Sequence, residues 1–340
     1  MISIARCHES DVADLMTFIE EHWRHNHILA TNRAVLDWQH KCADGTYNFL
    51  LARRESGLAG VLGYIPTSRY DESLSANETI WLALWKVRTD LGRTGLGLAL
   101  LRELGRLHPT AQIGVNGINH EHPNMYGSLG FHSGELKQYY VVNPRARRVL
   151  VVGQTGHGSV LPYPKAGQAV FSAYERATPI SLEVAPELIP RKSPRYFAQR
   201  FLEHPLYQYR VHAISLEGQS RALIATRIDE YKGARALRIV DFLGDASVLQ
   251  ECGTAIDSLL TESAAEYADL WQHGLPDACL RKAGLVASVE GGPIVPSYYE
   301  PFVPDRARIL FSVRVREGQE MRIFKADGDQ DRPNHVENQT

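Results

Sequence analysis

Several stretches hold residues whose types and spacing could do chemistry. VRTDLGRTGLGLALLREL (87–104) carries Gly92, Gly95 and Gly97 between the apolar run TIWLALWKV (79–87) and an amphipathic stretch. A glycine turn from strand into helix leaves successive backbone N–H groups free at the positive helix end, where phosphate binds. NHEHPNMYGSLGF (119–131) gathers Asn119, Glu121, His122 and Tyr126, which include general acids and bases by type. In the tail RIFKADGDQDRPN (322–334), Asp327, Asp329 and Asp331 alternate as in a calcium loop. Arg332 stands where that loop needs its glycine, and Asn338 where it needs its glutamate, so calcium is not expected. Phe324, Arg332 and Asn334 interleaved with the acids instead suit a polar sugar or amine. HWRHNHILATN (22–32) offers His22, His25 and His27 without a clear carboxylate or cysteine partner, so no metal is expected there.

The glycine loop excludes two phosphate motifs. A Walker A loop needs Lys-Ser/Thr after its last glycine, and Gly97 is followed by Leu98-Ala99. A dinucleotide fingerprint needs a third glycine and a position opening the first βα unit. Here Leu98-Ala99-Leu100 follows Gly97, and a hairpin-like pair of strands comes first. A diphosphate held by backbone amides is what remains.

These residues need a scaffold, and the chain spells one out. ISIA (2–5) reads as a strand; Val12, Leu15, Met16, Ile19 and Trp23 then recur at helical spacing, with Ser10 available as N-cap. NFLLARR (48–54), a turn and AGVLGYI (59–65) read as a hairpin, and TIWLALWKV as a strand covered on both faces. A helix over 97–107, a strand over 111–118, a short helix ending at Gly130 and a strand over 136–143 follow. The order then repeats: strand–turn–strand over 209–228, a strand over 236–244, a helix over 252–267, a strand over 268–274 and a short helix before Gly284. Trp81 answers to Arg238, and Gly130 to Gly284. The reading is two similar α/β halves, 1–145 and 190–316, joined by a connector (146–189) that holds VVGQTGHGSVLPYPKAG, with a tail over 317–340. A single larger α/β sheet is the alternative organisation.

Length and composition agree. The chain has 340 residues, 44 % hydrophobic and 22 % charged, enough for two globular units. With 37 basic and 39 acidic side chains there is no basic surplus, which speaks against a nucleic-acid partner. The four cysteines show no metal or disulfide spacing, no apolar run approaches membrane length, and no signal sequence opens the chain. A cytoplasmic protein without a membrane partner, monomer or homodimer, is the expectation.

Strand, glycine loop and helix, then a strand ending in Asn and a helix ending in Tyr-x-x-Leu-Gly-Phe, resemble the GNAT superfamily (GCN5-related N-acetyltransferases) over about residues 2–143. The resemblance implies an α/β fold of two tandem GNAT-like domains, each a mixed central sheet flanked by helices. It implies acetyl-CoA or another short acyl-CoA as co-substrate. The pantetheine would run along Leu84, Trp85, Lys86 and Val87. The loop Gly92, Arg93, Thr94, Gly95, Leu96 and Gly97 would hold the diphosphate, with Asn119 nearby. Gly92 stands where the family usually has Gln or Arg, so the backbone of Gly95–Gly97 would do the gripping, with Arg93 one place late as a helper. Tyr126 is the family's candidate acid. The family's Glu base has no counterpart in TIWLALWKV; Glu78 lies at its edge, and Glu121 and His122 follow Asn119. If none serves, the amine must arrive deprotonated.

The second half has DFLGDASVLQECG (241–253) where the loop should be, without GxG, so one CoA per chain is expected, with the degenerate half 190–316 supplying acceptor recognition or only packing. HILATN, NFLLARR, GYIP, IWLALWKV, RIVDFLGD and FKADGDQDRPN together resemble GNAT-like sugar N-acyltransferases of bacterial surface-polysaccharide (O-antigen) biosynthesis. That implies a dTDP- or UDP-linked amino sugar as partner, contacted by His27, Asp241, Asp327, Asp329, Asp331, Arg332 and Asn334. Other readings are a tandem GNAT enzyme acting on a small-thiol precursor, an aminoacyl transferase of two GNAT-like halves, and a non-catalytic CoA-binding or partner protein.

Overall fold

The computed structural model describes residues 2–91, 95–119, 123–146, 161–299, 302–303 and 305–332. The chain opens with β1 (Ser3–His8), α1 (Val12–His22), α2 (Ile28–Thr31), α3 (Arg33–His40), β2 (Thr46–Arg54), β3 (Gly57–Pro66) and β4 (Thr79–Val87). Next come α4 (Leu96–Leu107), β5 (Gln112–Ile118), α5 (Pro123–Ser128) and β6 (His132–Val142). The later chain forms β7 (Val170–Ala173), β8 (Leu188–Ile189), α6 (Pro194–Phe197), β9 (Tyr209–Leu216), β10 (Gln219–Tyr231) and β11 (Ala234–Gly244). It continues with α7 (Gly253–Ser263), β12 (Tyr267–His273), α8 (Asp277–Ala283) and β13 (Val286–Ala287). Short β14 (Tyr298–Tyr299) and β15 (Phe302–Val303) precede β16 (Ile309–Val313), β17 (Glu320–Met321) and β18 (Ile323–Phe324).

The fold is mixed α/β, and the two repeats of elements share one sheet, ordered β1-β2-β3-β4-β5-β16-β6-β12-β11-β10-β9-β7. β16 comes late in the chain yet lies between β5 and β6, antiparallel to both. β6 in turn pairs with β12, so each run of the chain completes the other's sheet. Two neighbouring pairs are parallel, β4 with β5 and β11 with β12.

The apolar character of β4 follows from cover on both faces. Leu84 packs with Leu15, Phe18 and Leu36 of α1 and α3, while Leu82 packs with Leu100 and Leu104 of α4. Val12, Leu15 and Ile19 are buried at the spacing read from sequence. Ser10 is not the N-cap: Asp11 precedes α1, and its carboxylate accepts from the His8 N–H at 2.8 Å, closing the 3₁₀ turn before the helix. Trp23 falls just past the end of α1 and is 44 % exposed rather than on the apolar stripe. No helix among the described residues is long and apolar enough to cross a membrane.

Candidate functional site

β4 pairs with β3 along its length, but with β5 only from Thr79–Gln112 to Leu82–Val115. Beyond Leu82 the two parallel strands part. Each carries a bulge at that point. On β4 the register against β3 passes from Tyr64–Leu82 to Gly63–Leu84, so Ala83 is the extra residue. On β5 the register against β16 passes from Phe311–Asn116 to Leu310–Ile118, skipping Gly117 at φ +75°. The cleft between them, about 530 Å³, is walled by Trp85, Val87, Asn119, Met125 and Tyr126, with Trp23 and Gln330 at its side.

At the loop end of the cleft, α4 starts at Gly95, in the left-handed region at φ +71°, with no side chain capping it. The first helical bond runs from the Ala99 N–H to the Gly95 carbonyl at 3.1 Å, so the N–H groups of Leu96, Gly97 and Leu98 have no acceptor within the helix. Among the described residues, nothing lies within 4 Å of where a Cβ on Gly95 would sit. Gly97 packs on the indole of Trp85, with a Cβ position 3.2 Å from its Nε1. Together these make an open, positive helix end beside an apolar channel, which suits an anion carrying an extended arm.

Tyr126 is 5 % exposed and stacks edgewise on Trp85 and Phe131. Burial pushes its hydroxyl up to about 12, so it stays protonated at neutral pH. A second cavity of about 360 Å³ opens where the cleft ends, sharing Trp23, Ala83 and Gln330 with it. Its remaining walls are polar: Arg24, His27, Lys86, Asp329 and Arg332. Arg332 pairs with Asp329 at 2.5 Å and approaches His27 Nε2 at 3.3 Å, while His27 Nδ1 accepts from the Leu29 N–H.

The structure thus gathers Leu84, Trp85, Val87, Asn119 and Tyr126 at the first cavity, with Gly95, Leu96 and Gly97 at its helix end. His27, Lys86, Asp329 and Arg332 line the second. Asp241 and Asp327 lie elsewhere, fully buried around Lys192, whose Nζ donates to Asp241 Oδ1 at 2.7 Å and meets Asp327 Oδ1 at 2.9 Å. Asp331 accepts from the Tyr209 hydroxyl and faces Arg227 at 3.5 Å. Glu78 is committed to Ser68 and to His108, at the other end of β4. Gly92, Arg93, Thr94, Glu121, His122 and Asn334 lie outside the described residues. Sequence reasoning missed Trp23, Arg24 and Gln330 as wall residues and missed both bulges; Gly117 inside a strand pattern was the available signal.

The second half repeats the cleft and closes it. β11 pairs with β12 from Ala236–Tyr267 to Ile239–Leu270, and Val240 is the extra residue against β10, as Ala83 is on β4. Into this opening the chain's own tail inserts: β18 pairs with β12, the Ala326 N–H donates to the Val240 carbonyl at 3.2 Å, and the Lys325 N–H to that of Trp271 at 3.3 Å. The start of α7 is also covered, since a Cβ on Gly253 would overlap the Lys165 carbonyl and the Gly167 N–H donates to Thr254 Oγ1 at 2.9 Å. A ligand that enters the open cleft should therefore bind once per chain; calorimetry that finds two equivalents would contradict the closed cleft.

No family model matches the sequence, and neither does a curated protein sequence. Among solved structures, the chain is similar to a GCN5-related N-acetyltransferase from Anabaena variabilis, at 12 % identity and TM-score 0.53, over 93 % of this chain and 73 % of that one. It is likewise similar to a protein from Enterococcus faecalis described as a probable N-acyltransferase, at 9 % identity and TM-score 0.53, over 94 % of this chain and 74 % of that one. At such identities the likeness establishes a shared fold, and it spans nearly the whole chain.

Proposed function

We propose that this protein is an acyl-CoA-dependent N-acyltransferase that moves an acetyl or short acyl group to the amine of a nucleotide-linked amino sugar, carried by dTDP or UDP. The observation that carries the reading is the open cleft between β4 and β5, which ends on the uncapped start of α4. Its counterpart between β11 and β12 is filled by protein. The pantetheine of acyl-CoA fits the open cleft as an added strand, and its diphosphate fits the N–H groups of Leu96, Gly97 and Leu98.

The thioester carbonyl then lies near the Ala83 bulge, where the two cavities meet. The neutral amine attacks that carbon from the polar cavity; the nitrogen–carbon bond forms and the carbon–sulfur bond breaks. Tyr126 gives its proton to the departing sulfur and regains one released by the amine, so no net proton is consumed. The described residues at the junction offer no carboxylate outside the Asp329–Arg332 pair, which favours an amine arriving deprotonated. Arg24 and Lys86 have no ion-pair partner among the described residues and suit the negative charge of a nucleotide diphosphate. In this reading residues 1–145 bind acyl-CoA, 190–316 form the supporting half, and the tail over 317–340 reaches back to the acceptor.

Thiol release from a panel of acyl-CoAs, with dTDP- and UDP-linked amino sugars as acceptors, tests the proposal. Release with none of the amines would overturn it. Tyr126→Phe should lower kcat about 10²-fold with acyl-CoA affinity unchanged. The wild-type rate should rise with pH as the amine deprotonates. It should show no alkaline fall through about pH 10, where an unperturbed tyrosine would titrate, because Tyr126 titrates only near about 12.

A further inference from the structure

After Asp327 the C-terminal segment crosses the paired ends of β4 and β5. Gly328, at φ +72°, passes close over Trp81, its Cβ position 3.4 Å from that of the tryptophan. Gln330 follows and is part of the wall of both cavities. Its side-chain amide occupies the space that any side chain at Gly117 would take, so the bulge glycine of β5 is its seat. The residues around it are pinned: Asp327 by Lys192, Asp329 by Arg332 and Asp331 by Tyr209. The Gln330 amide itself makes no hydrogen bond to another described residue. A half-buried amide is thus held between two bulges, facing two cavities, with no partner among the described residues for its donors and acceptor.

An attacking amine must be turned so that its lone pair, not an N–H, meets the carbonyl carbon, and an acceptor for one N–H does this. We propose that Gln330, delivered by the far end of the chain, is a catalytic residue: its Oε1 accepts from the attacking amine and aims the lone pair at the thioester. This rests on the acyl-transfer reading above. Gln330 neither gains nor loses a proton; the amine proton still ends on sulfur by way of Tyr126. The division of the chain then has a purpose. The tail that closes the second cleft brings its next residues to the first.

The experiment is steady-state thiol release by the full chain, with acetyl-CoA and a dTDP-linked 4-amino-4,6-dideoxyhexose, for wild type, Gln330→Met and Gln330→Glu. Calorimetric CoA binding is measured in parallel. Met fills the same space without an acceptor, so kcat should fall about 10²-fold while CoA affinity stays put. Glu restores an acceptor oxygen and should exceed Met by about tenfold. A merely space-filling role predicts Gln330→Met within twofold of wild type, and that result overturns the proposal while the acyl-transfer reading stands. A wild type that binds CoA but releases no thiol with any acyl-CoA and any amine of the panel above overturns both.

Discussion

Gly95→Asp is expected to weaken CoA binding by more than about 100-fold, or ~2.7 kcal/mol, while the chain stays folded. Gly95 sits in the left-handed region, which costs an L-residue about 1–2 kcal/mol, and Asp is among the residues that visit it. No atom of the described residues lies where its Cβ would go, so none of them opposes the substitution. A carboxylate at the positive end of α4 returns about 0.3–1 kcal/mol. Stability therefore changes little. Binding changes a great deal, because the new charge stands where the diphosphate would and takes up the same N–H groups. Gly95→Ala carries the strain without the charge and should bind within severalfold of wild type. Equal CoA affinity for Gly95→Asp and wild type, by calorimetry, would remove the loop from the site.

Lys192→Met should cost about 3–5 kcal/mol, because it strands two buried carboxylates without their cation. Asp241 and Asp327 are fully buried, and Lys192 is the ammonium between them. Asp327 ties the tail to Lys192 at 2.9 Å and closes a turn within the tail by accepting from the Phe324 N–H at 2.8 Å, so the same variant should loosen the segment that carries Gln330. Denaturant unfolding measures the loss. Adding Asp241→Asn and Asp327→Asn should recover much of it, since neutral amides need no counter-charge. Burial raises the Asp241 carboxyl above its ordinary value against the pull of Lys192. The folded chain therefore holds this proton more tightly than the unfolded chain does, so stability falls as pH rises above the ordinary carboxylate range. Asp241→Asn should flatten that part of the stability–pH curve.

The local elements of the site were legible because their causes are local. The apolar run of β4, the glycines before α4 and the Tyr-x-x-Leu-Gly-Phe helix end each express a rule acting within a few residues. The N-cap of α1 falls one residue beyond Ser10 because a 3₁₀ turn over Glu9–Asp11 runs straight into the helix, and Asp11 begins α1 without a side-chain cap bond. The repeat of elements was readable as order. That both runs lie in one sheet was not, because the place of β16 between β5 and β6 depends on edges far apart in the chain.

The sequence by itself determined an α/β chain with a phosphate-type loop, a tyrosine beyond it and no such loop in the second half. Tertiary structure alone decided what the acidic tail does. Read in isolation, Asp327, Asp329 and Asp331 belong to water or to a ligand. In the fold Asp327 and Asp331 are buried because Lys192, just before α6, and Arg227 and Tyr209, on β10 and β9, reach them from more than a hundred residues away, while Asp329 pairs locally with Arg332. A buried carboxylate is tolerable only with such partners, and partners at that distance leave no trace in local spacing.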